Sequence, residues 1–200
     1  MVDSCMPNQN ISKVNITDNY YHVYTLDNSD QQIFLEESDY WFFFSIVEKF
    51  LSKVDPPNQL SNINHNQNGL VEVLVYCMMP NHFHLILYHN NLGAIKKLMN
   101  GILKSYGRYF NEKYNNKSQL FSSSFIISRI LTDECLLNIS RHVHLNPVNW
   151  IDYPYSSLRA YLYDDAPCWI NKKRISKLYG STFEYFTFLK DNQSKKVNTR

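Results

Sequence analysis

Two apolar, β-prone runs, Leu70–Met78 and His82–Tyr88, stand almost end to end, joined by Met79-Pro80-Asn81. They predict two neighbouring strands with a tight link. Side chains alternate between the faces of a strand, so His82 and His84 point one way while Phe83, Leu85 and Leu87 point the other way, into a core. The pattern puts two imidazoles side by side on a rigid sheet, an arrangement that can hold one divalent ion. On its own, a His-x-His pair is a weak signal, because two solvated or hydrogen-bonded histidines on an open sheet face read the same way.

The rest of the chain supplies partners for those strands. Tyr20–Leu26 alternates aromatic and β-branched residues and predicts a strand. Glu36–Lys53 carries Tyr40, Phe43, Phe44, Val47, Phe50 and Leu51 at helical spacing and stops at Asp55-Pro56-Pro57. Leu92–Tyr114 predicts a long helix with Ile95, Leu98, Met99, Ile102, Leu103 and Tyr106 as its apolar stripe. Phe125–Leu131 predicts a strand, and Thr132 can cap a helix from Asp133 to about Leu145, with Pro147 close to its end. The order β-α-β-β-α-β-α describes an α+β protein: a ferredoxin-like antiparallel sheet with helices on one face. Weak helices near Lys172–Tyr179 and Thr182–Leu189 suggest a small C-terminal helical extension. Residues 1–18 read as a polar lead.

Composition limits the function classes. Two hundred residues suit one domain and an appendage. The formal net charge of +2 is unevenly spread: the first sixty or so residues lean acidic, whereas Lys96, Lys97, Lys104, Arg108, Lys113 and Lys117 face one acid, Glu112. Basic stripes interleaved with aromatics suit a phosphate backbone and stacked single-stranded bases; the plainer reading of helical lysines is a solvated face. Cys5, Cys77, Cys135 and Cys168 contain no Cys-x-x-Cys pair, which argues against structural zinc. No signal peptide and no apolar run of membrane-spanning length are present, so the expected location is cytoplasmic, with no membrane partner.

The words around the histidines sharpen the reading. Pro80-Asn81-His82-Phe83-His84-Leu85-Ile86-Leu87, preceded by Tyr76-Cys77-Met78-Met79, resembles the His-hydrophobic-His (HUH) motif of the single-tyrosine transposases, within the IS200-like group and closest to the REP-associated branch. In order along the chain, Tyr21–Thr25 resembles that family's first strand and Gln32–Leu35 the segment leading to its first helix. Ser105–Tyr114 resembles its tyrosine-rich, basic second helix. His142-Val143-His144-Leu145-Asn146-Pro147-Val148 resembles its Tyr-Ile-x-x-Asn-Pro-Val segment, and Tyr153–Leu158 its Trp/Tyr-Pro-x-Ser-Ser follow-on. The resemblance implies an IS200-like HUH domain over 19–149, followed by the extension at 150–200.

It also implies a function: binding of single-stranded or hairpin DNA, with strand cleavage and rejoining in DNA transposition. A divalent ion, Mg²⁺ or Mn²⁺, is implied at His82, His84 and Asn146, and a monomer or homodimer is expected. A tyrosine on the last core helix would attack phosphorus and form a covalent link. The position implied for that tyrosine holds His142. A histidine there leaves four readings open: a non-catalytic, domesticated or decayed DNA-binding protein; a substituted nucleophile; an extra metal ligand serving a water-activating nuclease; or a different attacking tyrosine, with Tyr106, Tyr109 and Tyr114 as candidates. Lys97, Lys104, Arg108, Lys113 and Arg141 are the candidate DNA contacts. His144 reads as a surface or hydrogen-bonded histidine. A second departure lies at Ser124 and Ile126, where the family's pattern has arginine and lysine.

Overall fold

Strand pairing follows the period-two pattern. In the computed structural model, β1 (Tyr20–Tyr24), β2 (Glu72–Met78), β3 (Phe83–Tyr88) and β4 (Ile126–Ile130) form one sheet in the order β2-β3-β1-β4, with every neighbouring pair antiparallel. The structure describes residues 19–27, 31–52, 71–116, 120–121 and 125–191. The polar lead at 1–18, the loop expected at 59–68, and Lys117 and Ser124 lie outside the described residues.

Helices α1 (Glu37–Leu51) and α2 (Leu92–Tyr114) pack on the first face of the sheet. Their apolar stripes meet Tyr21, Val23, Phe83, Leu85 and Leu87, which alternate toward that side. Phe43, Phe83 and Ile95 are fully buried, each worth about 1.5–3 kcal/mol relative to exposure. Asn91 caps α2 by accepting the Gly93 amide at 2.8 Å. Asn115 closes α2 in the left-handed region at φ 48°.

The α+β class and the antiparallel sheet match the sequence reading, but the helices do not all lie on one face. Leu74, Val75, Cys77 and Ile86 point away from α1 and α2, into a second core with α3 (Asp133–His144), α4 (Leu158–Leu162) and α6 (Thr182–Asp191). The cause is visible in β2, whose every residue from Val73 to Met78 is buried. A bulge between Val73 and Val75 turns both Leu74 and Val75 to the second side. A strand apolar on both faces needs cover on both faces.

Thr132 caps α3, accepting the Cys135 amide at 3.1 Å, as its sequence predicts. The segment after α3 then covers the outer edge of β2. The Ser157 amide donates to Tyr76 O at 2.9 Å, the Met78 amide to Tyr155 O at 2.9 Å, and the Asn171 amide to Val73 O at 2.9 Å. An edge strand whose backbone groups are occupied in this way cannot template another chain. Beyond it, α5 (Lys173–Ser176) sends Ile175 into the second core.

Candidate functional site

His82 and His84 open β3 on its second face, with ring centroids 5.1 Å apart. The end of α3 lies over them. His142 brings its ring to 5.6 Å from that of His84. Asn146 is not on α3, which ends at His144 with Leu145 as its cap; a residue before proline disfavours helical backbone. Its amide nonetheless reaches His82, with Asn146 Nδ2 2.8 Å from His82 Nε2. The implied ligands His82, His84 and Asn146 are therefore brought together, and His142 stands beside them.

Each site histidine is held through its Nδ1. His82 Nδ1 lies 2.8 Å from Asn81 Oδ1, and Asn81 Nδ2 donates to Asp27 Oδ1 at 2.6 Å. His84 Nδ1 lies 3.0 Å from His22 Nε2. Burial disfavours the charged imidazolium in all three rings. It pushes His84 down to about 2, helped by His22, His82 and His142, and His22 down to about 3, helped by His142. It also lowers His82, against the pull of Asp27 in the other direction. The rings are neutral at pH 7 and keep a nitrogen lone pair, which a metal ligand must have.

The donor set fits a divalent cation. Among the described residues no three His, Cys, Asp or Glu side chains form a metal cage; beside the histidine pair, the Asn146 amide is a neutral side chain with a donor oxygen. Asn146 Nδ2 lies 2.8 Å from His82 Nε2, so the Asn146 side-chain amide stands at the nitrogen His82 would offer to a cation. The carbonyl oxygen of that amide is the atom a cation would take.

The site also contains residues the sequence reading missed. His22 and Tyr24 share the second face of β1, and Tyr24 is in register with His84. Their rings stack at 4.6 Å, and that of Tyr24 stacks on His84 at 5.7 Å. The signal was present in His22-Val23-Tyr24, which has the same alternation as His82-Phe83-His84. The pairing register that brings the two together is not visible in either segment alone.

Other expected site residues are elsewhere. Tyr106 is completely buried in the first core, its hydroxyl donating to Ile33 O at 2.5 Å. Tyr109 donates to Asp39 Oδ1 at 3.0 Å and stacks on Phe42, and Tyr114 donates to Asp39 Oδ2 at 2.8 Å. These three tyrosines, the alternative nucleophiles of the sequence reading, stand on α2, which covers the face opposite the histidines. Lys113 is tied to Glu36, and to Asp39 at 2.7 Å. Arg141 lies over the Phe188 ring at 4.1 Å and donates to Asn138 Oδ1. Lys97, Lys104 and Arg108 are exposed along α2. His144 is buried and hydrogen-bonded, 2.8 Å from both Tyr185 Oη and Ser157 Oγ.

The fold is a split βαββαβ sheet carrying paired imidazoles under the end of its last core helix. Residues 58–145 match the family model described as Transposase IS200 like, a stretch holding β2, β3, α2, β4 and α3. Over that stretch the chain is similar to the IS200-like transposase family. A solved structure titled as a REP-associated tyrosine transposase bound to a REP hairpin is similar at 15% identity and a TM-score of 0.48, covering 82% of this chain and 92% of that one. No curated protein matches the chain. Among the described residues no helix is long and apolar enough to cross a membrane.

Proposed function

We propose that this chain is a transposase-like protein that binds single-stranded or hairpin DNA, with a divalent cation, Mg²⁺ or Mn²⁺, held by His82, His84 and Asn146, for strand cleavage and rejoining. The observation that carries the reading is the meeting of His82, His84 and Asn146 at one place within or beside the stretch that matches the transposase family. Bound there, the cation would polarise a phosphate oxygen of the strand. Two imidazole nitrogens favour Mn²⁺ over Mg²⁺, which prefers oxygen donors. Lys97, Lys104 and Arg108 offer exposed charge for phosphates.

Position 142 favours a second reading, a non-catalytic DNA-binding protein. An imidazole cannot form the tyrosyl phosphodiester that the family resemblance implies. Tyr24 is the tyrosine whose ring stands beside His84.

A single-stranded DNA cleavage assay with Mn²⁺ or Mg²⁺, read on a denaturing protein gel, separates these readings. It uses the wild type, His82→Ala and His142→Tyr. A wild-type adduct lost in His82→Ala supports cleavage, and peptide mapping of the adduct identifies the attacker. Cleavage without an adduct assigns the attack to water. Binding with an adduct only in His142→Tyr supports the non-catalytic reading. Absence of DNA binding sinks both.

A further inference from the structure

His22 lies on β1, outside the stretch that matches the family, yet its ring nitrogen comes within hydrogen-bond distance of a site histidine. We infer that His22 is a positioning residue for His84: its Nε2 accepts the Nδ1 proton of His84 and so leaves the Nε2 lone pair of His84 for a divalent cation. The inference rests on the reading that this site takes such a cation.

The geometry restricts the proton inventory. His22 Nε2 and His84 Nδ1 are 3.0 Å apart in a buried setting, and their rings are within 15° of parallel. Two neutral imidazoles at that separation share one proton between the facing nitrogens. If the proton belongs to His22, His84 carries its own on Nε2, and that nitrogen cannot ligate. If it belongs to His84 Nδ1, the Nε2 of His84 is a ligand and His22 is protonated on its Nδ1. A metal-bound histidine usually gives its second N–H to an acceptor behind it. His82 is built in the same sense, since its Nδ1 faces Asn81 Oδ1, an atom that can only accept. Both site histidines are thus held from behind at Nδ1, by Asn81 on the linker and by His22 on the adjacent strand.

The strand register makes the contact rigid. His22 is in register with Ile86 and Tyr24 with His84, so His22 and His84 are diagonal neighbours on one face. The rings of His22, Tyr24 and His84 form a triangle, with centroids 4.6, 5.2 and 5.7 Å apart.

The test measures Mn²⁺ binding calorimetrically on the full chain, together with the ¹⁵N signals of His84 in the metal-free protein. The variants are His22→Phe, which keeps a stacking ring without an acceptor, and His22→Gln, which restores an acceptor oxygen. The wild type should show His84 protonated on Nδ1. His22→Phe should bind Mn²⁺ about 10–100-fold more weakly and move the proton toward Nε2, with the melting temperature as the control for folding. His22→Gln should recover most of the affinity. Wild-type His84 protonated on Nε2 overturns the inference even if every variant fails to fold. So does undiminished affinity in His22→Phe where His82→Ala abolishes binding, an outcome that leaves the cation reading intact. Absence of Mn²⁺ binding in the wild type overturns the cation reading itself, and the inference with it.

Discussion

Two polar clusters occupy opposite sides of the same sheet, and they differ in where their hydrogen bonds end. Between α1 and α2, Asp39 is completely buried, yet it accepts from the Leu35 and Glu36 amides, Tyr109, Tyr114 and Lys113. Every lone pair is spent inside the protein. On the other face, His82 and His84 are anchored at Nδ1, and His82 Nε2 faces the Asn146 amide. A buried charge surrounded by partners fastens two helices together. A neutral ring anchored through Nδ1 has the chemistry of a metal ligand. Residue type alone does not separate these roles, since both clusters mix ionisable groups with aromatics.

The sharpest way to break the contrast is Asp39→Ala. It leaves two tyrosine hydroxyls without their acceptor and Lys113 with Glu36 as its remaining carboxylate, and should cost about 1–3 kcal/mol in urea unfolding for each hydroxyl left unpaired, with Mn²⁺ affinity of the folded protein unchanged. His82→Ala should do the reverse. It should weaken Mn²⁺ binding beyond the roughly 100-fold upper range of outer-shell losses and leave the urea midpoint nearly in place. Tyr106→Phe leaves the Ile33 carbonyl without its donor and should cost about 1–3 kcal/mol. It should not change DNA cleavage or adduct formation; a lost adduct would return Tyr106 to the list of attackers. The smallest effect is expected at the α2 surface. Lys104→Ala should reduce the salt slope of DNA binding by about 0.9 if the lysine meets one phosphate, and by nothing if it faces solvent.

Acid should act on the two clusters differently. Burial alone would raise the Asp39 carboxyl, but the bonds from Lys113, Tyr114 and the two amides hold it below its ordinary value. A depressed carboxylate binds fewer protons folded than unfolded just below the usual aspartate pKa of about 3.9. Its stabilisation is therefore complete above that value and disappears as the pH falls through the folded one. Asp39→Asn should flatten that part of the acid-unfolding curve. An unchanged curve would show that the clamp carries no linkage.

Much of the fold was legible because its signals are local. The helical stripe of Leu92–Tyr114 and the alternation of Phe83, Leu85 and Leu87 report which face is apolar, and the elements appear where those patterns begin and end. The second core was harder to foresee. The bulge at Leu74 breaks strict alternation, and the tail that covers β2 has short helices with little periodicity. Within the site, His82, His84 and Asn146 were readable from wording and spacing. The bonds of Tyr109 and Lys113 to Asp39 were not legible, because that partner is seventy or more residues away in sequence.

By itself, then, the sequence determined the strands, the helices and the display of two imidazoles on one face, because period and turn chemistry act between near neighbours. Only the tertiary structure decided that His22 meets His84, that Asn146 reaches His82 from beyond α3, and that Tyr109 and Tyr114 serve Asp39. Those pairings depend on strand register and helix docking, which are set by the packing of two cores and not by any one segment.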